Sequence, residues 1–124
     1  MFRRARTPGP DHPITAEPYH GLVRVTAGSR VIAESREAIR LKEANWPAIY
    51  YLPADSLRDA SVQFSYQKDW CPYKGMARRF HLRFGDGKVI QNAGWTYVRA
   101  RPAGEAILDR LAFMPGAVTI EAAP

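Results

Sequence analysis

The stretch RRFHLRFGDGKVI, Arg78 to Ile90, decides the fold. Phe80, Leu82 and Phe84 fall on one side of an extended chain and Arg79, His81 and Arg83 on the other, the two-residue period of a half-buried strand. Asp86-Gly87 then supplies the backbone freedom of a hairpin tip, so the chain is expected to turn back into a second strand. Outward from this point the pattern recurs. SVQFSYQ (61–67) sets Val62, Phe64 and Tyr66 against Ser61, Gln63, Ser65 and Gln67, and NAGWTYV (92–98) puts Ala93, Trp95 and Tyr97 on one face. Val23, Val25 and Ala27 alternate with Arg24 and Thr26, Gly28-Ser29 fits a two-residue turn, and Val31 to Ala33 begins the return strand. AIYYLP (48–53) is apolar and aromatic throughout, as a strand covered on both sides would be.

Helix signals are weaker. REAIRLKEAN (36–45) fits a helix by composition, but Ala38, Ile39, Leu41 and Ala44 do not choose between the two periods. PADSLRDA (53–60) reads as one short turn with Asp55 or Ser56 as its cap. In AGEAILDRLAFMPG (103–116), Ile107, Leu108 and Leu111 suit a helical turn that Pro115-Gly116 ends, and Val118 and Ile120 suit a closing strand. Many short strands punctuated by turns predict an all-β domain, a barrel or sandwich with one or two short helices.

At 124 residues the chain fits one domain and can bury roughly two-thirds of its unfolded surface. Residues 1–11, with Arg3, Arg4 and Arg6 among prolines, read as a flexible basic arm, and 12–124 as the single β domain. The formal net charge is +6, and from His12 onward 15 basic and 11 acidic residues leave +4. This describes a moderately basic domain, which binds nucleic acid only where the charge gathers on one face. A lone cysteine rules out an internal disulfide and a cysteine-rich zinc site, and a reducing compartment, the cytoplasm, is expected. No apolar run approaches the roughly 20 residues of a membrane span, and the basic start has no apolar segment behind it as a secretory signal would.

The order HPI (12–14), RV (24–25), VIAES (31–35), YYLPADSL (50–57), CPYKG (71–75), NAGWTY (92–97) and AF (112–113) resembles the family called domain of unknown function 427, over almost the whole chain beyond the arm. CPYKG followed about 20 residues later by Asn-Ala-x-Trp-x-Tyr is the specific pair. The resemblance implies a compact β fold of β-tent type and no established activity. A nucleotidyltransferase label attaches to the family. That chemistry needs a metal-holding carboxylate pair and a glycine-rich phosphate loop, and this sequence has neither Asp-x-Asp, Asp-x-Glu nor a phosphate-loop motif. β-tent folds often hold zinc between Cys-x-x-Cys pairs, which a single cysteine cannot supply. After AF the chain also departs from the family pattern, with MPGAVTIEAAP in place of aromatic and acidic residues.

WCPYKGMARRF (70–80) gathers the remaining special chemistry. Cys71 suits a catalytic nucleophile if Lys74 or one of His12, His20 and His81 activates it, and suits equally a small buried group before a turn. Pro72 and Gly75 make a stiff loop that could aim Lys74 at an anion or simply join two strands. The leading expectation is a pocket for a small polar or anionic ligand beside this loop. Lys74 would give charge, Asn92 orientation and Gly75 the turn, with Tyr51, Tyr73, Trp95 and Tyr97 as walls. Trp95 and Tyr97 suit a core face as well, and Glu43 and Asp55, with no visible partner, read as solvated charges or an acid and base. Arg78, Arg79, Arg83, Arg99 and Arg101 form either a nucleic-acid surface or solvated strand faces. Three readings therefore stand: a ligand-binding domain, a Cys71 enzyme, or a nucleic-acid module. None calls for a cofactor or metal, and an open sheet edge would allow an oligomer.

Overall fold

A computed structural model describes residues 4–124, so Arg3 of the basic arm lies outside the described residues. In chain order the elements are β1 (Ile14–Tyr19), β2 (Leu22–Ala27), β3 (Arg30–Ser35), β4 (Ala38–Glu43), β5 (Ile49–Tyr51), a 3-10 turn (Ala54–Ser56), β6 (Ala60–Cys71), β7 (Gly75–Phe84), β8 (Val89–Ala100), a second 3-10 turn (Pro102–Ile107), β9 (Ala112–Phe113) and β10 (Thr119–Ala123). They make three antiparallel sheets, ordered β1-β4-β5, β10-β2-β3 and β6-β7-β8-β9. The fold is mainly β, as the alternating pattern predicts.

The Arg78–Ile90 stretch builds the centre of the largest sheet. Phe80 and Leu82 are fully buried and Phe84 nearly so, while Arg83 is exposed. Each buried ring or branched chain contributes on the order of 1.5–3 kcal/mol of apolar transfer. At the tip, Gly87 takes φ 86° and the Asp86 carboxylate accepts the Lys88 backbone N–H at 3.0 Å, which closes the turn. Residues 36–45, undecided by period, contain β4, the central strand between β1 and β5, with Ala38, Leu41 and Glu43 buried. The 103–116 stretch becomes the second 3-10 turn and then β9. Ile107 and Leu111 are buried, but Leu108 is 39% exposed.

One face departs from simple alternation. The β6–β7 register shifts between Phe64 and Lys68, and the bulge carries Tyr66 wholly into solvent and leaves Phe64 43% exposed.

The core has two parts. One joins Val23, Val25 and Ile32 to Phe80, Leu82 and Phe113. The other, at the CPYKG end, joins Leu41, Tyr51, Ala77, Tyr97, Ile107 and Ala112, with Cys71 and Trp95 packed against it. No helix among the described residues is long and apolar enough to cross a membrane.

Candidate functional site

The Pro72–Tyr73–Lys74 loop joins β6 to β7, and its shape is set by close backbone contacts. Gly75 takes φ 127°, and a Cβ there would lie 2.1 Å from the Arg99 carbonyl oxygen. A Cβ on Gly104, in the second 3-10 turn, would lie 2.2 Å from the Lys74 carbonyl oxygen. The Arg101 N–H donates to that same carbonyl at 2.9 Å. On the outer side the Arg6 N–H donates to the Pro72 carbonyl at 2.8 Å. Lys74 is therefore held from both flanks, and its side chain is buried.

A buried ammonium needs a partner, because taking an isolated charge out of water costs far more than packing returns. The partner is Glu43, at the end of β4: Lys74 Nζ donates to Oε1 at 2.6 Å, and His12 Nε2 lies 2.7 Å from Oε2. Both side chains of the Lys74–Glu43 pair are under 10% exposed. His12 in turn stacks on Tyr73 at 4.1 Å and meets the edge of Trp46 at 5.6 Å. Lys74 Nζ also stands 5.5 Å from the Tyr97 ring centroid, within cation–π reach.

A cleft of about 320 Å³ opens beside this pair. Lys74, Tyr51, Trp95, Tyr97, Asp69 and Arg79 line it, with Ile49, Ala77 and Met114. Asp69 and Arg79 are half-exposed and pair at 2.9 Å, and the Trp95 indole N–H donates to the Tyr51 hydroxyl at 3.2 Å. A larger hollow of about 610 Å³ lies alongside, walled by apolar residues including Tyr50, Phe113, Val118 and Ile120, and it shares Ile49 and Trp95 with the cleft.

Burial pushes the Tyr51 and Tyr97 phenols far above their ordinary value of 10.0, with nearby negative charge adding to the effect. Folded protein thus keeps two protons that the unfolded chain loses above about pH 10. Stability from this source is complete below pH 10 and falls above it, by about 1.4 kcal/mol per pH unit for each tyrosine. In an alkaline titration, Tyr51 and Tyr97 should be missing from the phenolate absorbance until unfolding, when it rises in a step of two tyrosines. A smooth rise without that step would mean that water reaches both rings in the folded state.

Of the residues expected from the sequence, Lys74, Tyr51, Trp95 and Tyr97 meet at this cleft. Gly75 shapes its corner. Tyr73 faces the opposite way, onto His12, and lines an outer hollow with Arg4, Arg6 and Pro72. Asn92 is exposed on a bulge of β8 with φ 50°, where its backbone N–H donates to His81 Nδ1 at 2.9 Å, and it does not line the cleft. Cys71 is half-buried against the second core cluster, and no histidine among the described residues is in hydrogen-bond reach of its sulfur. The arginines separate. Arg79 pairs with Asp69 in the cleft, while Arg78 lies over the Phe64 ring at 4.4 Å and lines another hollow with Tyr66, Lys68 and Arg99. No group of three or more His, Cys, Asp or Glu side chains suited to a metal ion is present among the described residues.

Sequence reasoning missed three things. It left Glu43 without a partner, because both of its partners lie 31 residues away. It did not see Asp69 and Arg79 as a pair; their near-opposite positions in a hairpin were the available signal. It had no signal for Ile49 or Met114, which tertiary packing alone brings in.

The model of the family described as Domain of unknown function (DUF427) matches residues 15–123. No curated protein matches the chain.

Proposed function

The chain belongs to the domain of unknown function 427 family, and on that premise, which carries a fold but no assigned chemistry, we propose that it binds a small polar ligand in the Lys74 cleft. The observation that supports this is a buried ion pair placed beside empty space. Replacing a buried pair by apolar residues of similar volume is often neutral or stabilising. Packing therefore gives little reason to keep Lys74 at the wall of a hollow with Glu43 behind it, whereas recognition of a polar group does. Lys74 Nζ has three N–H donors and only one is occupied by Glu43. Tyr51 is fully buried in the wall, where its hydroxyl accepts the Trp95 indole N–H. Arg79 and Asp69 add donors and acceptors at the side open to water.

The three tryptophans provide the test, because only Trp95 lines the cleft. In a panel of small amides, alcohols, sugars, acetate and phosphate, a subset should move the Trp95 indole N–H resonance and leave that of Trp70 in place. A panel in which nothing moves Trp95 at millimolar concentration would end this reading.

A further inference from the structure

We infer that the ligand is an uncharged amphiphile, with its polar head in the Lys74 cleft and its apolar body lying past Trp95 in the neighbouring groove. The inference rests on the cleft being a ligand site and adds the class of ligand. Two observations carry it.

The first is charge balance. The charged groups facing the cleft are already paired: Lys74 with Glu43 at 2.6 Å and Arg79 with Asp69 at 2.9 Å, with His12 on the far oxygen of Glu43. A charged head would have to break one of these pairs or enter without a counter-ion, and either is costly away from bulk water. A hydroxyl, amide or carbonyl head uses the spare donors and disturbs neither pair.

The second is continuity. Ile49 and Trp95 are walls of both hollows. The cleft, at about 320 Å³, has room for roughly ten water-sized groups, enough for a head and a short linker. Beyond Trp95, the groove of about 610 Å³ offers Tyr50, Phe113, Val118 and Ile120 and no charged side chain. A molecule that bridges the two would satisfy its head at one end and shed apolar surface at the other.

The test titrates the isotope-labelled protein with acetamide, N-butylacetamide and N-octylacetamide, and with octanoate as the charged comparison. Backbone signals of Ala77 and Tyr97 report the cleft, and those of Thr119 and Ile120 report the groove. For the longer amides both sets should move with one shared Kd, which tightens about fourfold for each methylene that reaches the groove. Octanoate should bind at least about tenfold more weakly than N-octylacetamide. In Ile120→Gln, at a half-buried position in the groove wall, the gain with chain length should flatten while the acetamide shifts at Ala77 and Tyr97 stay as they are. Cleft signals that move equally for all three amides would overturn the amphiphile and leave the cleft a polar site. Groove signals with a separate Kd, or octanoate binding as tightly as the octyl amide, would overturn it too. If no probe moves Ala77 or Tyr97, the cleft reading falls along with it.

Discussion

Glu43→Ala is expected to lower the free energy of unfolding by about 3–5 kcal/mol, because it leaves the Lys74 ammonium buried without a counter-ion. A domain of this size has only about 5–15 kcal/mol in total, so the variant should melt roughly 10–20 °C lower. The cause is specific. Lys74 is 7% exposed, and its loop is pinned through the Arg101 N–H, so the backbone of that corner is held against shifts that would hydrate the ammonium. The companion result separates a lost charge partner from lost packing. Glu43→Leu combined with Lys74→Met removes both charges at similar volume and should return to within about 1 kcal/mol of the parent or exceed it. His12, which is 22% exposed, can take water in place of the carboxylate. Denaturant unfolding of the three proteins decides the matter. A single variant costing less than about 1 kcal/mol would show that Lys74 is effectively hydrated.

The second large effect is expected at Gly75. Alanine there meets two penalties at once: a backbone at φ 127°, which side chains rarely adopt, and a Cβ 2.1 Å from the Arg99 oxygen and 3.0 Å from the Ala100 Cα. Both obstacles are backbone atoms of the paired strand β8, so no rotamer change relieves them. Strain and overpacking together should cost about 2–5 kcal/mol. Gly28→Ala is the control. It has φ 62° but nothing within 4 Å of the added carbon, so only the backbone penalty of about 1–2 kcal/mol applies. The Gly75 variant should also shift the Trp95 indole resonance, because prising β7 from β8 moves the cleft wall. Equal losses at the two positions would mean that the corner relaxes freely and does not hold Lys74 in place.

The fold was largely legible because half-buried strands write their burial into a two-residue alternation. Phe80, Leu82 and Phe84 did so plainly, and Gly28 and Asp86-Gly87 marked their turns. Two failures have physical causes. β4 lies between two other strands, and its burial does not follow strict alternation, so Ala38–Glu43 matched no single period. The Phe64–Lys68 register shift breaks the alternation at Phe64, and a bulge leaves no composition signal, so Tyr66, placed on one face with Val62 and Phe64, is instead fully exposed. At the site, Tyr51, Trp95 and Tyr97 were candidates because such rings pair an apolar body with a polar tip, while the two-residue spacing of Trp95 and Tyr97 suits a core face equally. Asn92 was a candidate for an amide that both donates and accepts, and Tyr73 for its ring beside Lys74. The left-handed backbone at Asn92 and the stacking of Tyr73 on His12 set each elsewhere. The Lys74–Glu43–His12 contacts span 31 residues in both directions, which no local pattern encodes.

The bulge in β6 has a consequence for how the molecule behaves among its own copies. A long, regular outer ribbon would offer a ready template on which another chain could lay down hydrogen bonds and propagate. Here the outermost strand of the largest layer is kinked midway, and the interruption carries a projecting phenol and the Lys68 cation. An approaching strand would meet mismatched bonding partners and a protruding ring, which disfavours the edge-to-edge pairing that starts fibre growth.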